Sequence, residues 1–370
     1  MALPVDTLRR DIRVFVSLAL ILTVIGFIFI YSSSSIFALE KFGSSHYFLK
    51  KQLLFFIPAC IGFFAFAAIP VDFWKKYAPY FFLGSLFLTA LTFVPALGLK
   101  VHGSNRWLSF KGIGFQPSEL LKLFIFIYFG FFLERKQHMI KSFIQSYLPF
   151  LTILGITFAI LLKQPDFGSV VSIFVTALVL FFVAEFKFSH LIITVLLTCP
   201  AVIWLVMTKA YRLNRILIFM NPWADPQGRG FQIIQSLIAI GSGNIWGLGI
   251  SNSKQKFFYL PMQHTDFIFS IIAEETGFIG SCIIITLYFL FCLFGLRIAL
   301  RMPTPFSFFT TLGFVIFITL QAAINLMVTA GLLPTKGLGL PFISYGGTAL
   351  VCLFCMIGLI VNFGRTYRSL

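Results

Sequence analysis

Continuous apolar runs, each about as long as a helix needs to cross a hydrocarbon layer, recur along the whole chain. They fall at 14–36, 52–69, 78–98, 118–133, 146–162, 168–184, 189–207, 266–296, 306–330 and 342–362. Roughly 20 apolar residues span about 30 Å of hydrocarbon. Inside that layer every backbone N–H and C=O must be paired within the protein, which helices do locally and only closed barrels do otherwise. The period-two alternation of a barrel strand is missing. The chain is therefore expected to be an all-α integral membrane protein of about ten transmembrane helices. Composition agrees: of 370 residues 59% are hydrophobic and 11% charged, where a soluble domain carries roughly 25% charged residues.

The basic start "LRRDIR" leads into an apolar run too long for a signal-peptide core, with no small-residue cleavage pattern, so the first run is expected to be a retained span. Cys60, Cys199, Cys282, Cys292, Cys352 and Cys355 all lie in apolar runs. Cys352 and Cys355 have CxxC spacing but no partner pair nearby, so they read as small helix residues and not as a metal site. The net charge of +16 is spread over short loops. That excludes nucleic acid and favours anionic or phosphorylated lipid as the counterpart.

Loop charge sets the expected orientation. Arg9, Arg10, Arg13, Lys75, Lys76, Arg135, Lys136, Lys141, Lys187, Arg297, Arg301, Arg365 and Arg368 fall in one set of short connections. These should be cytoplasmic, with both termini inside, although Lys41, Lys50 and Lys51 lie on the other side. No internal repeat or appended domain is evident, so residues 1–370 form one membrane domain. The outer connections are longer and mixed in composition: "HGSNRWLSFKGIGFQPSELLK", "KQPDFG", a large extracytoplasmic loop at about 208–265 between spans seven and eight, and "LLPTKGLGLPFISYGG". Elaborate loops on one face place the chemistry there. Within the large loop, "FQIIQSLIAI" reads as a short helix at the interface or packed on the bundle. The glycines of "GSGNIWGLGI" read as close backbone packing, because no GK[ST] or preceding strand makes them a phosphate loop.

Ionisable residues in or at the edge of spans are costly and point to function. Asp266, after His264 and Thr265, is either the N-cap of the eighth span or a general base. Glu274 and Glu275 lie about two turns deeper, and at least one is expected to face a polar cavity. Glu119 and Lys122, three apart on one helix face, are an internal ion pair or a site for an anionic group. Asp166 is a cap for the sixth span or a ligand of a divalent cation. Arg106, Arg212, Arg215, Arg229, Lys254, Lys256 and Lys336 are solvated charge or, together, a pyrophosphate site. No serine–histidine–acid triad, HExxH or zinc spacing is present.

The motifs "GSNRWL…QPSELLKL", "QPDFGSVV", "NPWADPQGRGFQ", "LPMQHTDFIFSIIAEE" and "GLLPTKGLGLPFISYGG", in this order over nearly the whole chain, resemble the SEDS family (shape, elongation, division and sporulation). Its members are peptidoglycan polymerases of the FtsW, RodA and SpoVE type, and "QPDFGSVV" and "TKGLGLPFISYGG" look more like the FtsW branch than the RodA branch. The resemblance implies polymerisation of lipid II into β-1,4 glycan strands at the outer face of the cytoplasmic membrane. It also implies a class B penicillin-binding protein transpeptidase as partner, with other division-complex proteins, and a role in septal wall synthesis. Asp266 becomes the catalytic acid/base. Trp107, Arg106, Glu119, Lys122, Arg212, Arg215, His264 and Lys336 become substrate-binding positions, with His264 in support of Asp266. Asp166 becomes the candidate ligand of a divalent cation (Mg or Mn).

The chain departs from the family pattern at Asn221, where an Asp is usual, at Phe231, where Tyr is common, and at Met262, where Glu is frequent. Asn221 removes any role assigned to an acid there. The rival readings are a lipid II flippase, an elongation-type polymerase of the RodA kind, and a scaffold without activity.

Overall fold

The computed structural model describes residues 5–95, 97–101, 104–110, 113–208, 210–228, 230–256, 261 and 263–366. These form α1 (Val5–Phe42), α2 (Tyr47–Ala68), α3 (Val71–Leu91), α4 (Pro117–Lys136), α5 (Leu148–Lys163), α6 (Phe167–Val183), α7 (Phe188–Met207), α8 (Ala210–Met220), α9 (Phe231–Ser242), α10 (Ile268–Ala299), α11 (Pro305–Thr329) and α12 (Gly347–Thr366). Among the described residues, six helices are long and apolar enough to cross a membrane: α1, α2, α5 with the turn before it, α10, α11 and α12.

Each expected apolar run has its helix. The third is displaced: α3 ends at Leu91, whereas the run was read to residue 98. Its last residues enter a small antiparallel sheet of β1 (Gly98–Val101), β2 (Ser104–Phe110) and β3 (Ile113–Phe115). This corrects the all-α expectation locally. Trp107 pairs across β1 with Leu99, and Leu108 across β3 with Phe115. The Gly-rich, mixed sequence hid this hairpin, because its strands are too short to show alternation.

The bundle interior is aliphatic and aromatic. Phe126 of α4 packs on Phe317 of α11, and Phe129 stacks on Phe150 of α5 with centroids 4.4 Å apart. α12 is buried along most of its length. It meets α2 closely because Gly358 has no side chain: a Cβ there would lie 2.3 Å from the Phe63 carbonyl oxygen. α11 opens with a reciprocal cap between Thr304 and Ser307 and with Pro305 in its first turn, where a missing N–H costs nothing.

Polar contacts define two ends. At one, Asp11 near the start of α1 accepts from Arg301 (2.6 Å) and pairs with Arg297 (3.4 Å) near the end of α10. There too Lys75 of α3 meets Glu134 of α4 at 2.6 Å, and Asn362 of α12 donates to the carbonyls of Phe66 and Ile69. The opposite end, where α10 begins, lies roughly 35–40 Å away, the length of the 25-residue α11 at 1.5 Å per helical residue. It carries the sheet, the α5–α6 turn, the segment from α8 to α10 and the α11–α12 connection.

α10 is longer than a bilayer needs because it is two helices joined at a break. Gly277 has φ 68° and ψ −161°, a conformation essentially confined to glycine. The segment after α9 fills the break. Leu248 and Gly249 donate to the carbonyls of Glu274 and Glu275 (3.0 Å each), and Phe278 donates to that of Asn244 at 2.8 Å. Two glycines of "GSGNIWGLGI" provide close backbone packing: a Cβ on Gly243 would lie 2.1 Å from the Ala273 carbonyl oxygen and one on Gly247 2.2 Å from that of Glu275, whereas Gly241 has open space around it.

Candidate active site

Asp266 ends the loop that leads into α10. The capping alternative is not what the structure shows: the N-cap of α10 is Phe267, and no side chain caps it. The backbone around the carboxylate is held from α11 and the α11–α12 connection. Asn325 Nδ2 donates to the Asp266 carbonyl at 2.8 Å and to that of Leu338 at 2.7 Å. Ser344 Oγ donates to the Thr265 carbonyl at 2.6 Å, and the Tyr345 N–H to that of His264 at 3.0 Å. Three consecutive carbonyls, of His264, Thr265 and Asp266, thus fix where the side chain emerges, while its carboxylate oxygens make none of these bonds.

Two cations and a second acid surround it. Arg106, on β2, is anchored to the α5–α6 turn by Nε to the Gln164 carbonyl at 2.9 Å and Nη2 to the Pro165 carbonyl at 2.5 Å. Gln164 is itself pinned to the end of α3, its Nε2 donating to Thr92 Oγ1 at 2.6 Å. Arg215, on α8, donates from Nη1 to the Thr335 carbonyl at 2.9 Å. Gly337 marks the meeting point: a Cβ placed there would lie 3.5 Å from Asp266 Oδ2 and 3.8 Å from Arg106 Nη1. A side chain at that position would occupy the space beside both groups.

Asp266 keeps some surface exposure, yet protein atoms crowd its carboxyl. Burial pushes that carboxyl up from its ordinary 3.8 to about 6; Arg106 and then Arg215 pull it down, and Asp166 pushes it up slightly. The opposed effects leave a carboxylate that is ionised at neutral pH yet basic enough to take a proton.

The other expected positions divide. Asp166 is the cap of α6, accepting from Ser169 N at 3.3 Å and Ser169 Oγ at 2.8 Å, and it also lies in the field of Asp266. Lys336, in the loop beside Gly337, sits over the Phe167 ring at 5.9 Å, and burial lowers its pKa from the usual lysine value. Trp107 is half-buried on the sheet, packed on Gly114. His264 is buried among Phe48, Tyr345 and Phe37, at centroid distances of 4.3, 5.8 and 5.9 Å, and burial drops its pKa to about 4. Burial therefore favours the neutral ring. Glu119 and Lys122 form the expected ion pair at 2.5 Å, with Lys122 buried and over Phe317 of α11 at 5.8 Å. They belong to the α4–α11 interior and not to the charges that act on Asp266. The side chain of Arg212, and Arg229 altogether, lie outside the described residues.

Glu274 and Glu275 meet polar groups from the chain before α10 and from α1. Both are buried and both clasp the loop after "GSGNIWGLGI". Glu274 accepts from Lys254 N at 2.8 Å and from Ser253 Oγ. Glu275 accepts from Ser32 Oγ of α1 at 2.6 Å and pairs with Lys256 at 3.8 Å. Lys256 is thus a buried partner and not a solvated cation. α9 packs on the bundle, with Ser236 Oγ donating to the Thr329 carbonyl at 2.6 Å.

The chain is similar to known proteins over nearly its whole length. A profile of the FtsW/RodA/SpoVE family, described as cell cycle proteins, matches residues 12–369. The chain belongs to this family. A probable peptidoglycan glycosyltransferase FtsW from Geobacter sp. (strain M18) is 42% identical over 355 residues, covering 95% of this chain and 96% of the relative. Stage V sporulation protein E of Bacillus subtilis is 39% identical over 95% of this chain and 96% of its own. A chain from a solved peptidoglycan synthase complex, described as coordinating polymerization and crosslinking, superposes with a TM-score of 0.79 at 28% identity, covering 95% of this chain and 97% of that one. The rod shape determining protein RodA of Thermus thermophilus shares the fold, with a TM-score of 0.71 at 24% identity over 95% of each chain.

Within this FtsW/RodA/SpoVE chain, sequence reasoning did not single out Gln164, Asn325, Ser344 or Gly337. Gln164, Gly337 and Ser344 lie inside the quoted motifs, and Asn325 lies in α11 before the last of them. Their signal was a polar or flexible residue in otherwise apolar surroundings, and such a residue, when buried, has to find a partner.

Proposed function

We propose that this protein is an FtsW-type peptidoglycan glycosyltransferase that polymerises lipid II into β-1,4 glycan strands for the division septum. Its relatives bear that activity in their names. The observation that carries the reading is the uncapped Asp266 carboxylate, poised near neutral pH between Arg106 and Arg215. Asp266 takes the proton from an acceptor sugar hydroxyl as that oxygen attacks the anomeric carbon of the donor. The bond from that carbon to the lipid diphosphate breaks, and the electron pair leaves with the diphosphate. Arg106, Arg215 and Lys336 offset the charge that develops there, as fixed cations do best where water is scarce. A single displacement inverts the anomeric centre, so an α-linked donor gives a β-link without a covalent intermediate.

The ten longer helices are then ten passes with both termini cytoplasmic, and the Asp266 end faces outward in the cytoplasmic membrane. There the headgroups of two polyprenyl-linked substrates meet. A class B penicillin-binding protein is the partner that would cross-link the product. Asp166 and Asp266 are the carboxylates that would hold a divalent cation, which would add positive charge for the diphosphate. Asp166 already accepts from Ser169, and among the described residues no three His, Cys, Asp or Glu side chains form a metal-holding group. The donor set therefore fits a metal poorly.

Purified protein with its transpeptidase partner, given lipid II in detergent, should make glycan polymer. Lipid II moving across vesicles without polymer would favour the flippase reading instead. Lys336→Ala should lower polymerisation about 10- to 100-fold while the partner still co-purifies; unchanged activity would take Lys336 out of the site. Arg106→Ala removes the larger of the charges that lower the Asp266 pKa, so the acid limb of the pH–rate profile should move to higher pH. A limb that stays in place would separate Arg106 from Asp266.

A further inference from the structure

At the end of the bundle remote from Asp266, a cavity of ≈ 670 Å³ opens between α1, α2 and α12, lined by Arg9, Arg13 and Arg365 together with Ile12, Val16 and Phe63 among its apolar residues. The three arginines are exposed. Its lining includes no carboxylate. Asp11, the acid nearest in sequence, is taken up by Arg297 and Arg301.

The order of side chains along the two helices is informative. On α1, Arg9 and Arg13 are one turn apart, and Val16 and Ser17 follow on the same face. On α12, Val361 lies one turn before Arg365. Both helices therefore present cations at the rim and apolar surface one turn deeper. Gly364 lets them meet, since a Cβ there would lie 2.2 Å from Ile12 Cδ1. A groove with a basic rim and an apolar floor matches a molecule with an anionic head and hydrocarbon behind it, and basic pockets between helices bind such headgroups. A free anion would use the rim and leave the floor without purpose.

We propose that this groove is a binding site for an anionic phospholipid, its phosphate held by Arg9, Arg13 and Arg365 and its acyl chain laid along Val16, Phe63 and Val361. The site is independent of the glycosyltransferase reading.

The test is native mass spectrometry of the delipidated full-length protein, titrated with dioleoyl-phosphatidylglycerol or dioleoyl-phosphatidylcholine. The first phosphatidylglycerol should bind preferentially. With about 1 kcal/mol per cation near a lipid surface, R13Q/R365Q should weaken it roughly 30-fold. R13K/R365K should retain most of the affinity, and K141Q, a cation of the α4–α5 connection outside the groove, should leave it unchanged. Ser17→Phe, which fills the groove at an exposed position without changing charge, should also weaken it. Equal binding of the two lipids, equal binding to R13Q/R365Q, or displacement by millimolar inorganic phosphate alone would each overturn the proposal.

Discussion

Asp266→Asn is expected to reduce lipid II polymerisation by about 10²–10⁴-fold, the usual contribution of a positioned general base. The substitution keeps the volume and polarity of the side chain, and the three backbone anchors from Asn325, Ser344 and Tyr345 do not involve it. The fold should therefore survive. The sign of the stability effect follows from the pKa. The carboxyl is raised from 3.8 to about 6 in the folded protein, so its contribution to stability is complete below pH 3.8 and is lost as pH rises through about 6. At pH 7 the charge is a burden on the fold, and a neutral amide removes it. The thermal midpoint of Asp266→Asn at pH 7 should be no lower than that of the natural protein. A variant that loses activity and also unfolds early would mean that the acid serves the structure.

Gly277→Ala should be among the most destabilising single changes in the chain, by about 3 kcal/mol or more. The backbone at Gly277 lies where strain alone costs about 1–3 kcal/mol for other residues. A Cβ would also lie 2.4 Å from the Gly247 nitrogen and 2.5 Å from the Ile245 carbonyl oxygen, and these backbone atoms cannot give way without opening the break in α10. Closing or shifting that break moves Glu274 and Glu275, and with them the clasped loop from Ser253 to Lys256. A large fall in the unfolding temperature in detergent, with loss of polymerisation, is the expected outcome. Gly43→Ala is the control: its φ is +70°, but nothing lies within 4 Å of an added Cβ, so only the left-handed backbone cost of about 1–2 kcal/mol applies. If the two variants unfold together, the packing at the α10 break carries no special weight.

The helices were legible because the need to satisfy backbone groups in hydrocarbon forces a long apolar signature onto each of them. Asp266 was legible for the complementary reason, since a charge at the edge of such a run is conspicuous. The place of Asp166 just before the sixth apolar run likewise made its role as a cap legible. What depends on chain crossings was not legible. No local pattern says that Glu274 will receive the backbone of Lys254, or that Arg106 will reach the carbonyls of Gln164 and Pro165 far along the chain. The burial of His264, two residues before Asp266, among Phe37, Phe48 and Tyr345 was not legible either, because the direction of a side chain in a loop is set by tertiary packing. The sheet was missed because β1 and β3 are only four and three residues long.

The most direct measurement is the pH dependence of the polymerisation rate of the natural protein with its partner, under saturating lipid II. With Asp266 as base, the rate should fall about tenfold per unit below pH 6 and level off above about pH 7, and the small residual rate of Asp266→Asn should lack this limb. A natural protein whose rate is flat from pH 4.5 to 7, or an Asp266→Asn variant that keeps the same limb, would contradict the account.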